Sequence, residues 1–162
     1  MEAEAESRCT EYIDLALRVD AGADLDPEIY ITLASVRLSQ CRPEEALTAL
    51  QKSHSIWREE APTSASIPPP VARLNLARLF LECEAHYDAI EVLEGLEDED
   101  DEDFEVLYLL GLANWLIGEK SKSEAEQREA YIDAREVLDR FLQVSCAFFP
   151  FNVGCPLSVD GV

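Results

Sequence analysis

The chain is 162 residues long, 48% apolar and 29% charged, with a formal net charge of −21. This composition suits one globular domain and excludes a disordered or fibrous chain. An acid excess of this size repels phosphate backbones and attracts basic polypeptide, which argues against direct nucleic-acid binding and for either solubility alone or a basic partner.

From the N-terminus, Met1-Glu2-Ala3-Glu4-Ala5-Glu6 is acidic and lacks the basic flank and apolar run of a secretory signal. No later stretch reaches the roughly 18 uncharged apolar residues of a membrane span, so a soluble, intracellular chain is expected. Tyr12, Ile13, Leu15, Ala16, Leu17 and Val19 predict a helix over 11–19 that reads as the second half of an earlier repeat. Residues 1–26 are therefore a partial repeat and linker.

Asp26-Pro27 predicts the next helix start, since aspartate accepts from free amides at an N-cap and proline tolerates the first helical position. Arg42-Pro43 marks the turn into a helix ending near Trp57. The stretch 59–70, ending in Pro68-Pro69-Pro70, is loop because consecutive prolines donate no backbone hydrogen bonds; it reads as a plain connector, with a hinge or a docked proline segment as the alternative. The seven acids Glu97, Asp98, Glu99, Asp100, Asp101, Glu102 and Asp103 form a solvated turn that either complements a helix N-terminus or receives a basic segment. Beyond it, Ser123-x-x-Glu126 fits a capping box in a stretch rich in helix formers, so the last helix should be unusually long. Residues 144–162 have no charge until Asp160 and continue no repeat pattern; they are expected to be a disordered tail, and their lack of a polar capping helix suggests an end that is truncated or read through.

One pattern occurs three times: Leu33-Ala34 with Ala46 and Leu50, Leu76-Ala77 with Ala89 and Leu93, and Leu110-Gly111 with Ala134 and Leu138. Two antiparallel helices approach to about 8–10 Å only where the crossing residues are small. The leucines recur on one helical face and fill the groove to the next hairpin. These positions resemble the tetratricopeptide repeat motif. The resemblance implies an all-α fold, a right-handed superhelix of antiparallel helix pairs, with repeats at 27–58, 70–96 and 104–143. Arg73 stands where the motif has a large apolar residue, and Ser53, Leu96 and Phe141 stand where it ends on a small one.

No nucleophile–base pair, phosphate-binding glycine loop or dinucleotide fingerprint is present, so an enzyme is not expected. Cys9, Cys41, Cys83, Cys146 and Cys155 include no Cys-x-x-Cys pair, and His54 and His86 stand far apart; neither a metal nor a cofactor is expected. The repeat register places Ile31, Ser35 and Leu38, Leu74, Arg78 and Leu81, and Tyr108, Leu112 and Trp115 on the concave face. One arginine among these does not make the basic clamp of a tetratricopeptide co-chaperone that holds a C-terminal carboxylate.

Val92-Leu93-Glu94-Gly95-Leu96, the acidic run, Val106 to Gly111 and Asp133-Ala134-Arg135-Glu136-Val137-Leu138, together with Arg37 to Ala46, are similar to the fungal tetratricopeptide assembly chaperones dedicated to large-subunit ribosomal protein four. That resemblance implies a chaperone that captures the newly made ribosomal protein in the cytoplasm, shields its basic extension and carries it to the nucleus for ribosome assembly. Tyr108, Leu112 and Trp115 would hold an extended segment while the acids from Glu97 to Asp103 pair with its cations. The other reading of Tyr108 and Trp115 is ordinary inter-repeat core, and that of the whole chain is a generic repeat adaptor or co-chaperone. Because no space is expected where the second repeat's helices cross, Ala89→Trp should cost about 1–3 kcal/mol or more; an unchanged thermal midpoint would show that the register is misplaced.

Overall fold

The computed structural model describes residues 2–20, 26–60 and 64–148. They form seven helices: α1 (Glu2–Asp20), α2 (Pro27–Ser39), α3 (Pro43–Trp57), α4 (Pro70–Glu82), α5 (His86–Glu97), α6 (Phe104–Lys120) and α7 (Glu124–Phe148). Two compact units meet within α5, Met1–Val92 and Leu93–Val162.

In the first unit, the Asp26 carboxylate accepts from the Glu28 amide at 2.9 Å and Pro27 opens α2, as the Asp-Pro pair predicts. The helix closes on Cys41, whose φ of 57° lets its amide reach the Leu38 carbonyl and the Arg42 amide reach Arg37, both at 2.9 Å. Glu84, with φ 62°, closes α4 in the same way through Leu81 and Phe80. A left-handed conformation costs a non-glycine residue roughly 1–2 kcal/mol, and here the two carbonyls it satisfies at each helix end offset that cost. The same closure at matching repeat positions turns each chain segment back sharply into the following helix.

The residues of the repeated pattern in the first two copies are core: Ala34, Ala46, Leu50, Leu76, Ala77, Ala89 and Leu93 have no exposed surface. Of the four positions set against the motif, the two polar ones, Ser53 and Arg73, are both hydrogen-bonded. Buried Ser53 donates its hydroxyl to the Pro27 carbonyl at 2.8 Å, tying the end of α3 to the start of α2. Buried Arg73 donates Nε to the Pro68 carbonyl at 2.9 Å, and its guanidinium lies 6.0 Å from the Trp57 ring centre. This pairing is what lets a charged side chain replace an apolar one inside the core. The proline stretch is thereby bound to the body of the unit through Pro68, which is itself buried.

In the second unit, α6 and α7 run antiparallel with a constant register. Gly118 lies against Tyr131, Gly111 against Leu138 and Tyr108 against Phe141. A Cβ on Gly111 would stand 2.6 Å from Leu138 Cγ, and one on Gly118 2.6 Å from Tyr131 Cε1; glycine at both positions sets how closely the pair can pack. α7 has 25 residues, the longest helix, as expected.

Three expectations need correction. Helix α1 spans Glu2–Asp20 instead of 11–19, because alternating Glu and Ala are strong helix formers. The capping box differs: the Glu126 carboxylate accepts from the Ser121 hydroxyl at 2.9 Å, and the Ser123 amide donates to Ser121 Oγ at 3.2 Å. The uncharged stretch is not disordered from its start, since α7 continues through Phe148 with Val144, Ser145 and Cys146 half-buried, nothing in 144–148 being a helix breaker. Residues 149–162 lie outside the described residues.

His54 is buried with its ring 4.8 Å from Trp57 and 6.1 Å from Phe80. Burial holds its pKa below the ordinary imidazole value of 6.5; Glu91 and Asp88 oppose that shift and Arg58, which is paired with Glu91 at 2.6 Å, adds to it. The unfolded chain therefore takes up a proton near 6.5 that the folded chain resists, so stability should fall as pH drops through that value toward the folded pKa. Urea midpoints from about pH 7.5 to about pH 5.5 should show a fall in the wild type that is smaller in His54→Leu; equal slopes would remove His54 as the cause.

Candidate functional site

Helix α6 begins where the acidic run ends. Asp103 is its N-cap, with Oδ1 accepting from the Glu105 amide at 2.8 Å and the Val106 amide at 3.2 Å. A carboxylate is suited to this place because the first amides of a helix are unpaired and carry partial positive charge. From that start Tyr108, Leu112 and Trp115 follow at helical spacings of four and three, which puts them on one face. Tyr108 is 48% and Trp115 45% exposed, and Leu112 is half-buried between them. Other faces of α6 are core: Leu107 and Ala113 have no exposed surface. Both aromatics thus keep nearly half of their residue surface in solvent, Tyr108 while also packing on α7.

The sequence reading missed Phe104, four residues before Tyr108 on the same face and 53% exposed. Carrying the i, i+4 spacing back by one step would have found it. It also missed Phe141, whose ring centre lies 5.9 Å from that of Tyr108, because that contact depends on the register of α7 against α6.

The acidic run is a structured turn. Glu97 ends α5 and pairs with the Arg140 guanidinium, whose Nη2 also donates to the Asp101 carbonyl at 3.3 Å. Asp100 Oδ1 accepts from the Glu102 amide at 3.1 Å, while the amides of Asp98, Glu99 and Asp100 bond back to Glu94 and Leu96. Residues 98–102 remain exposed. Their carboxylates thus stand in solvent on a backbone that is tied at both ends, and Arg140, which could not be tied to this turn from spacing alone, is what ties it to α7.

On the far side of α6 from the aromatic stripe, Glu94, Glu97, Asp133, Glu136, Asn114 and Arg140 line a shallow groove of about 270 Å³. In the first unit, the concave-face residues divide. Ile31 is 4% exposed and belongs to the core, a correction to its expected presentation; Ser35 and Arg78 are exposed and Leu38, Leu74 and Leu81 half-buried. Ile31 is covered because α4 packs beside α2, and the groove there, about 380 Å³, is lined by Glu28, Asn75 and Arg78 around it. Among the described residues no group of three or more His, Cys, Asp or Glu side chains could hold a metal ion, and no helix is long and apolar enough to cross a membrane.

Helix α6 thus carries a partly exposed aromatic stripe and starts at a hydrogen-bonded turn of acidic residues. The fold is an all-α helical repeat. No family model matches the chain. It is 39% identical over 132 residues, 79% of its length, to a protein of Emericella nidulans named "Probable assembly chaperone of rpl4", and 37% identical over 141 residues, 83% of its length, to a protein of the same name from Schizosaccharomyces pombe. A solved structure titled "Assembly Chaperone of RpL4 (Acl4)" matches with a TM-score of 0.69 and 39% identity over 80% of the chain. The chain spans 34% and 41% of the length of the two relatives and 43% of the solved chain.

Since Asn caps a helix about as well as Asp whereas Ala does not, Asp103→Ala should cost about 1 kcal/mol and Asp103→Asn close to nothing. Denaturation midpoints decide: equal losses in the two variants would mean that the charge of Asp103, not its capping geometry, holds α6.

Proposed function

We propose that the chain is a binding scaffold, not an enzyme, that acts as a dedicated chaperone for newly made large-subunit ribosomal protein four during ribosome assembly. The observation that carries this reading is the partly exposed Tyr108, Leu112 and Trp115 stripe on the helix that follows the exposed acids of residues 98–102, in a chain of net charge −21. Two relatives and a solved structure that bear the name of such a chaperone support it. The client chemistry is a Lys- and Arg-rich segment: acids steer it in and the apolar stripe holds it. A protein that shields such a segment from cytoplasm to nucleus competes with nucleic acid for it and does not itself bind phosphate backbones. Neither a cofactor nor a membrane has a part in this role.

The test separates the two contributions. Replacing Asp98, Asp100, Asp101 and Asp103 with Asn removes four of the 21 net negative charges. It keeps the turn, because an amide oxygen accepts the Glu102, Glu105 and Val106 bonds as a carboxylate does and Arg140 grips Asp101 through the backbone. Association with the basic segment of the ribosomal protein should slow in this variant and with rising salt, while dissociation changes little. Association rates insensitive to both would leave the acidic run without a part in capture.

A further inference from the structure

Exposed aromatic faces in a strongly acidic surface have a particular affinity for cations, because the ring quadrupole presents negative potential above its plane. Trp115 is 45% exposed, and among the described residues it has neither a ring neighbour nor a hydrogen-bond partner. Tyr108 is 48% exposed and is supported by Phe141 at 5.9 Å. The two rings are seven residues apart on one helix, which separates them by about 10.5 Å along its axis. Half-buried Leu112 fills the space between them. Apolar residues would serve as well for plain hydrophobic contact, and a charge of −21 makes cationic side chains the most concentrated feature of any partner this surface attracts.

Resting on the client reading above, we propose that Tyr108 and Trp115 are two cation–π platforms that read a pair of basic residues, arginine above all, three positions apart in an extended segment. A polyproline-II chain rises about 3.1 Å per residue with three residues per turn, so positions i and i+3 share one edge about 9.3 Å apart. A β-strand puts i and i+2, about 6.7 Å apart, or i and i+4, about 13.4 Å apart, on one face. The spacing on α6 fits the first. A Lys- and Arg-rich segment repels itself into an extended form and is already close to this conformation. Arginine is favoured over lysine because its planar guanidinium stacks on an aromatic face and sheds water more easily.

The experiment uses the full chain and short synthetic Gly/Ser peptides that carry two arginines two, three or four positions apart, with citrulline versions in which the guanidinium charge is gone. Binding is read by fluorescence anisotropy at fixed salt. The three-apart peptide should bind about three- to tenfold more tightly than the other spacings, and Trp115→Leu should remove that advantage while Trp115→Phe keeps most of it. The loss on Trp115→Leu should vanish when the arginines are citrulline. Arginine peptides that bind alike at every spacing and equally to Trp115→Leu overturn the aromatic reading and leave the electrostatic client reading standing; no binding at any spacing overturns both. If circular dichroism shows Trp115→Leu unfolded, the spacing series on the unaltered chain decides alone.

Discussion

Every helix pair in this chain depends on how closely two backbones can approach. At α2–α3 that approach is set by Ala34 and Ala46, neither with any exposed surface, and at α6–α7 by Gly111 and Gly118, whose missing Cβ atoms leave room for Leu138 and Tyr131. Short side chains at the crossing let the helices close on the leucines Leu50, Leu76, Leu93 and Leu107, which are fully buried. The register of α7 against α6 follows from the same contacts, and it delivers Phe141 to Tyr108 and Arg140 to the acidic turn. The candidate site is thus a consequence of packing several turns away.

The positions that break the repeat pattern are informative for the same reason. Buried Ser53 and Arg73 would each carry a desolvation penalty if left unpaired. Both are satisfied by carbonyls of proline residues, Pro27 and Pro68, placed at or just before a helix start. A carbonyl oxygen has two lone pairs, so each can accept a side-chain bond beside any backbone bond it makes. Divergence from the motif therefore adds tethers at helix starts, and one of them fastens the connector before α4.

The acidic turn illustrates how a highly charged segment stays ordered. Repulsion among seven adjacent acids favours an extended, solvated chain. Against it stand the cap on α6, the Asp100 turn bond and the Arg140 bridge to Glu97 and the Asp101 carbonyl. Single exposed ion pairs contribute little, but here the backbone of the turn is also hydrogen-bonded, so the turn is anchored at the start of α6.

Helix identity, helix starts at Asp26-Pro27 and Arg42-Pro43, the crossing residues and the long last helix were all legible in the sequence, because each is governed by local rules of capping, proline geometry and side-chain size. The face bearing Tyr108, Leu112 and Trp115 was legible for the same reason, as it needs only a helical period. What tertiary structure alone decided is which faces remain in water: Ile31 is covered by α4, whereas Tyr108 at the same repeat position is 48% exposed. It also decided that Arg140, 43 positions from Glu97 along the chain, holds the acidic turn. Exposure and long-range pairing depend on the neighbour that arrives from elsewhere in the chain, and no local period or propensity carries that information.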